Sequence, residues 1–262
     1  MFSIKNITFK LSEIKSIWYR RGFMNFSIKK TEIIEFDDFI DREIYDLKEY
    51  LYFKLSKLHH LDSIKNAFIN KLIVNDLAED IGLIVPKSYI FSNKESLKNL
   101  LENSENDFIT KSITGDPVVD FKSHLILNYT SKVQLNDIKT DFFSPSLLQN
   151  CIDKRYELRI FYFMGNCYTM AIFSQKDKQT EIDFRVYNDA KPNRRVNFNL
   201  PQEIKEKIHI LMIKLGFDTG SIDMIVTIEN KYVFLEVNPV GQFGMTSFPC
   251  NYNLEKKIAE YL

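Results

Sequence analysis

Glycine, proline and cysteine are all scarce in this chain, and each scarcity excludes something. With 8 Gly and 7 Pro in 262 residues, no stretch reads as a flexible linker or low-complexity tract, and no internal repeat is found. The three cysteines, Cys151, Cys167 and Cys250, are odd in number and share no metal-ligand spacing. That argues against a disulfide scaffold and for packed thiols in a reducing cytoplasm. No apolar run reaches the length of a membrane span, and the opening Met-Phe-Ser-Ile-Lys lacks the apolar core of a secretory signal. An excess of one charge sign is missing too. Lys plus Arg number 35 against 35 Asp plus Glu, so no overall field draws the protein to nucleic acid or to an anionic membrane. The expectation is a cytoplasmic protein with neither as partner. No Gly-x-x-x-x-Gly-Lys-Ser/Thr occurs, which excludes a P-loop, and no Gly-x-Gly-x-x-Gly follows a strand. The histidines His59, His60, His124 and His209 are scattered without zinc spacing, and no local Ser-His-Asp or Cys-His arrangement supplies a nucleophile.

What is present is an ordinary globular composition, 45% hydrophobic, long enough to bury a substantial core. Ile44, Leu47, Leu51, Leu55 and Leu58 recur at three and four and predict a helix over about 37–60. A second helix is expected from an N-cap at Asp62 or Ser63, through Lys71, to Gly82 with Pro86 beyond. Strands at 87–91 and 107–112 flank a short helix near 94–103, and a β-leaning stretch covers 118–134. A second block starts near Leu147 with a hairpin from Tyr156 to Gln175, turned at Gly165-Asn166. Glu157 and Arg159 share one face of its first strand, opposite Leu158, Ile160 and Tyr162. A polar segment holding Asp183 and Arg185 follows, then helices over about 201–215 and 254–261. Helices and antiparallel strands in two successive clusters predict an α+β fold of two subdomains around a cleft.

Residues 222–242 carry the most chemistry. A two-residue loop at Glu229-Asn230 would set Asp223 directly opposite Glu236 across a hairpin. Like charges so placed destabilise a sheet unless something positive lies between them. A divalent cation is the natural candidate, with Asn238 a third oxygen ligand on the same face. Mg²⁺ suits such hard oxygen donors, usually together with nucleotide phosphates. A three-residue loop would move the pairing by one and set Glu236 against Met224, whereas a four-residue loop keeps it. The competing reading is a solvated hairpin with acids on its wet face. Lys71 and Lys111 are placed to meet phosphates, and Arg159 and Arg185 to steady a transferring phosphoryl group. For Arg159 the alternative is a structural ion pair with Glu157 or a neighbouring strand's acid. Trp18-Tyr-Arg-Arg reads first as a buried aromatic with two donors, and alternatively as a patch facing a nucleotide or a partner.

In order along the chain, Trp18-Tyr-Arg-Arg, the Lys71 helix ending Ile-Gly-Leu-Ile-Val-Pro, Lys111 after a strand, Leu148-Gln-Asn-Cys-Ile, Glu157-Leu-Arg, Ile172-Phe-Ser-Gln, Ile182-Asp-Phe-Arg, Ile222-Asp-Met-Ile-Val-Thr, Phe234-Leu-Glu-Val-Asn-Pro-Val-Gly-Gln and the tail Pro249-Cys-Asn-Tyr-Asn-Leu resemble the ATP-grasp superfamily. The likeness is to its graspetide (microviridin-like) peptide ligases, and within them to the grasp-with-spasm maturases. It runs from about residue 14 to the end.

The resemblance implies ATP between two α+β subdomains, with Lys71 and Lys111 on the phosphates and Glu157 lining the nucleotide site. Gln149, Asn150, Cys151 and Ile152 would meet the adenine through the backbone, and Asp223, Glu236 and Asn238 would hold Mg²⁺. It further implies activation of Asp or Glu side chains of a ribosomal precursor peptide as acyl phosphates. Arg185 and Arg159 would steady these until a Ser or Thr hydroxyl or a Lys amine displaces phosphate. Residues 1–60 would form a shortened pre-ATP-grasp segment and connecting helix, 61–146 the N-terminal and 147–262 the C-terminal ATP-grasp subdomain. A leader-bearing peptide and a second copy of the chain are the partners expected. A ligase for a free amino acid or protein C-terminus would keep the same metal and phosphate residues; the alternative from another class is a nucleotide- or leader-binding remnant that ligates nothing, and there the metal trio decides.

Overall fold

The computed structural model describes residues 2–4, 7–20, 24, 26, 28, 30–31, 33–63, 69–113, 118–121, 124–127, 130–175 and 193–262. An N-terminal segment carries strands β1 (Phe2–Ile4), β2 (Ile7–Phe9) and β3 (Ser16–Trp18), helix α1 (Ile34–Leu55) and strand β4 (His59–Leu61), with β3 and β4 paired in parallel. Helix α2 (Lys71–Asp80) leads into β5 (Ser88–Asn93), α3 (Lys94–Glu102), β6 (Phe108–Lys111), the pair β7 (Val118–Phe121) and β8 (His124–Leu127), then β9 (Ser131–Lys132) and β10 (Phe142–Asn150). Strands β5, β10, β6 and β9 lie in that order in one sheet. The chain then crosses to a second sheet built from β11 (Lys154–Phe163), β12 (Asn166–Phe173), β13 (Arg194–Phe198), β14 (Thr219–Thr227) and β15 (Tyr232–Asn238), with helix α4 (Gln202–Leu215) between β13 and β14. Its order is β13-β12-β11-β14-β15, antiparallel throughout. Helices α5 (Gly244–Cys250) and α6 (Leu254–Tyr261) close the chain.

Alternation decides what each face of the second sheet does. Leu158, Ile160, Ile222, Met224, Val226 and Phe234 bury against Val74 and Ala78 of α2 and Ile208, Leu211 and Met212 of α4. Each such side chain contributes roughly 1.5–3 kcal/mol of transfer free energy. On the opposite face Phe161 and Phe163 pack with Leu61, Leu254 and Ile258 at one end of the strands. The other end of that face is left for Glu157, Arg159 and Asp223.

Several sequence expectations shift in detail. Helix α2 starts at Lys71, not near residue 63: Asn70 is its N-cap, its Oδ1 accepting from the N–H groups of Leu72 at 3.0 Å and Ile73 at 3.4 Å. The β11–β12 hairpin turns at Met164-Gly165, one residue early, because Phe163 pairs with Asn166 and both turn residues take positive φ, 46° and 86°. The boundary expected at 146/147 falls inside β10, and the crossing between sheets lies at 151–153. Helix α5 follows the turn at Pro239, and β13 forms within a segment that reads only as polar. Among the described residues, no helix is long and apolar enough to cross a membrane.

Candidate active site

Asp223 does stand opposite Glu236, by a route the sequence does not suggest. The loop is three residues long, with the Thr227 N–H donating to the Lys231 carbonyl at 3.0 Å, so near the turn Met224 pairs with Phe234. The register then shifts between Asp223 and Met224, leaving Leu235 as an extra residue, and Asp223 meets Glu236, Ile222 meets Val237 and Ser221 meets Asn238. Phe234 and Val237, three apart, are both in the core, which a regular strand could not achieve. The bulge puts Glu236 on the face of Asp223.

Lysines from two different elements converge there. Lys71, the first residue of α2, holds its Nζ 3.2 Å from Glu236 Oε2. Lys111, the last residue of β6 in the other sheet, holds its Nζ 3.8 Å from the same oxygen. Arg159, opposite Asp223 on the neighbouring strand β11, donates from Nη1 to Asp223 Oδ2. The alternative of an ion pair with a neighbouring strand's acid is thus realised, with Asp223 as the acid. Glu157, also on this face, is buried and accepts from Lys154 Nζ at 2.6 Å and from the Ser174 hydroxyl at 2.9 Å. Burial pushes its carboxyl above the usual carboxylate range, against the opposing pull of Lys154 and Ser174.

Lys154 and Ser174 escape a reading by periodicity. Lys154 lies three residues before Glu157, so a regular strand would put the two on opposite faces, but the register shifts between Lys154 and Tyr156. Asn238 sits two residues beyond Glu236, and its Oδ1 accepts from the Val240 N–H at 3.1 Å. Gln149, Asn150, Cys151 and Ile152 lie where the first sheet hands over to the second. The Gln149 side chain is buried and donates to Ser88 Oγ at 2.9 Å. The N–H groups of Asn150 and Cys151 donate to the carbonyls of Lys87 and Asp107. Burial raises the Cys151 thiol and pushes the Cys167 thiol up to about 12, so neither is a ready nucleophile. Arg185 and Asp183 lie outside the described residues.

The donor chemistry fits a magnesium nucleotide. Asp223, Glu236 and Asn238 offer hard oxygens only, and among the described residues no group of three or more His, Cys, Asp or Glu gathers into a cage for another metal. Beside these oxygens stand Lys71, Lys111 and Arg159, with side chains 17%, 12% and 12% exposed. Cations held this far from water are suited to phosphate oxygens. The N-terminal segment reaches the same region. Arg20 donates from Nη2 to the Gly241 carbonyl at 2.8 Å, and the Trp18 Nε1 donates to Asp62 Oδ2 at 3.3 Å.

No protein-family model matches the sequence, and no curated protein does. Solved structures do match. The macrocyclase MdnC of Microcystis aeruginosa MRC, bound with precursor peptide MdnA, shares 28% identity at a TM-score of 0.74, over 96% of this chain and 78% of that one. A RiPP-associated ATP-grasp ligase of Chryseobacterium gregarium, in complex with ADP and a leader and core peptide, shares 23% at 0.73, over 95% and 75%. The ATP-grasp ligase PsnB, complexed with minimal precursor, Mg and ADP, shares 16% at 0.66, over 94% and 78%.

Proposed function

We propose that this chain, which has the ATP-grasp fold and matches the graspetide peptide ligases over nearly its whole length, is an ATP-dependent ligase that cross-links side chains of a ribosomal precursor peptide. The observation that carries this reading is the meeting of Lys71 and Lys111 on Glu236. Phosphates drawn to the lysines would lie between the two sheets, beside the oxygens of Asp223, Glu236 and Asn238. When bound, Mg²⁺ supplies charge that offsets the phosphate oxygens and the leaving ADP.

The reaction needs no protein nucleophile. An Asp or Glu carboxylate of the peptide attacks the γ-phosphorus of ATP, and ADP leaves with the bridging oxygen. A hydroxyl or amine of the same peptide then attacks the acyl carbon, phosphate departs and a proton is lost to solvent. In this reading Arg159, and Arg185 outside the described residues, meet the negative charge of the acyl phosphate. Glu157, with Lys154 and Ser174, lines the nucleotide side. The base sits against the 149–152 segment and meets it through the backbone.

The test mixes the purified chain with Mg-ATP and a leader-bearing precursor. ADP release that requires the peptide, with loss of one water mass per cross-link, is the expected result. Equal turnover with free amino acids would point instead to a small-molecule carboxylate ligase. Mild base, which opens esters and leaves amides, then separates the two products. A cytoplasmic setting fits the free thiols of Cys151, Cys167 and Cys250. A homodimer is part of the proposal, supported by α1, which buries none of its residues and exposes Phe36, Phe39, Leu47, Tyr50 and Phe53. Light scattering checks it.

A further inference from the structure

The turn that follows the proposed metal ligands is held from outside both sheets. Gly241 donates its N–H to the Asn238 carbonyl at 3.1 Å, closing a tight turn directly after β15. That turn is pressed onto β14, because a Cβ added at Gly241 would come 2.1 Å from Ser221 Cβ. Ser221 in turn pairs with Asn238 and stands two residues before Asp223 on the same strand. One contact from the N-terminal segment bears on this turn from above. The Arg20 guanidinium donates to the Gly241 carbonyl at 2.8 Å, with its carbon 4.6 Å from the Trp18 ring centre and 4.9 Å from that of Phe243. The two rings are themselves 5.5 Å apart, and Phe243 rests 5.6 Å from Phe161 on the floor of the sheet. Trp18 is fixed at its far end by the bond to Asp62.

We propose that Arg20, packed against the rings of Trp18 and Phe243, is a positioning residue for the magnesium site. By drawing the Gly241 carbonyl towards itself it holds the 238–241 turn on Ser221, and so fixes where Asn238 and, through the strand, Glu236 present their oxygens. The inference rests on the metal reading above. It also explains why an arginine serves here. A planar guanidinium can lie on aromatic faces while its edge donates to a carbonyl, whereas an ammonium is a point charge with a strong hydration shell. Outer partners of metal ligands cost about 10- to 100-fold in metal affinity when removed, and that is the size of effect expected.

The experiment follows the thermal shift that ADP produces as Mg²⁺ is titrated. Arg20→Ala should raise the Mg²⁺ needed for the half-maximal shift by about 10- to 100-fold, leaving the shift given by ADP in EDTA unchanged. Gly241→Ala, which lifts the turn off Ser221 with Arg20 in place, should move the Mg²⁺ requirement in the same direction, and Arg20→Lys should restore only part of it. Glu236→Gln is the reference. If Glu236→Gln raises the Mg²⁺ requirement and neither Arg20→Ala nor Gly241→Ala does, the clamp is overturned while the metal site stands. If all three leave it unchanged, the metal reading fails and takes this proposal with it. Equal loss of the ADP shift with and without Mg²⁺ in Arg20→Ala would mark a general folding role and also overturn the proposal.

Discussion

Lys111 and Glu236 sit on different sheets, yet the lysine Nζ lies 3.8 Å from the carboxylate. Lys111 ends a strand of the four-stranded sheet, and Glu236 lies on the edge strand of the five-stranded one. Two unit charges at about 4 Å attract by about 4 kcal/mol at an effective dielectric near 20, before the cost of removing each from water is subtracted. Such a pair is worth little as a fastener. Its position is the useful property, since the carboxylate holds two lysines where phosphate oxygens would replace it as their partner.

Glu236→Gln keeps the shape of the side chain and removes its charge. Because Lys71 and Lys111, 17% and 12% exposed, lose a shared carboxylate, stability should fall by about 1–3 kcal/mol. Turnover should fall by about 100-fold or more, because a bound metal supplies several kcal/mol of charge stabilisation and each ~1.4 kcal/mol is a factor of ten. Denaturation midpoints and ADP release, measured on the same preparation, check both halves. An unchanged rate would sink the assignment of Glu236 as a ligand.

Lys111→Ala and Lys71→Ala should each weaken Mg-ADP binding by about 10- to 100-fold, the worth of one hydrogen bond to a charged group. The affinity of the unaltered protein should fall as salt rises, and that of each variant should fall less steeply, because a screened contact has been removed. Calorimetric titrations at low and high ionic strength read out both effects. Parallel salt dependences would place the lysine away from the phosphates.

Legibility followed periodicity and stopped where periodicity breaks. Leu158, Ile160 and Tyr162 against Glu157 and Arg159 follow from simple alternation, and the sheet obeys it. Helix α4 ends at Gly216, with φ of 71°, as a left-handed glycine stop should. A two-residue loop predicts the opposition of Asp223 and Glu236, but it arises from a three-residue loop and a bulge at Leu235 that shifts the ladder back. A second irregularity, beside Arg155, brings Lys154 onto the face of Glu157 and hides it from any period-two count. Bulges re-aim side chains next to functional sites, and here both lie within the candidate site. Arg20 was hidden for another reason. Its partner, Gly241, is remote in the chain, and a carbonyl leaves no trace in side-chain pattern.

Arg159 and Asp223 should behave as one unit. Both side chains are largely shielded, 12% and 16% exposed, so removing either leaves a charge with poor access to water. In a double-mutant cycle on urea stability, Arg159→Gln and Asp223→Asn should couple by about 1–3 kcal/mol. Strict additivity would show that each residue is satisfied elsewhere, in which case Asp223 is already free to bind metal. The same variants should both lower turnover, Asp223→Asn through the metal and Arg159→Gln through the acyl phosphate.

Asp62 offers a test that stands apart from catalysis. It is buried, with φ of 58°, and its carboxylate accepts from the Asp218 N–H at 3.0 Å, the Thr219 N–H at 2.9 Å, the Thr219 hydroxyl and the Trp18 indole. Burial nonetheless pushes its carboxyl above the ordinary 3.8. An acid raised in this way holds its proton more tightly in the folded state. Its stabilising contribution is therefore complete below the unfolded pKa and is lost as pH rises through the folded value. Relative to Asp62→Asn, which does not titrate and tolerates the left-handed backbone, the unaltered protein should lose stability as pH climbs from about 4. Asp62→Ala should be weaker at every pH by about 1–3 kcal/mol, because Trp18 and Thr219 lose their acceptor. Urea midpoints across the range decide it. A protein that gains stability over the same window, relative to the Asn variant, would mean that the four donors outweigh burial and keep Asp62 charged.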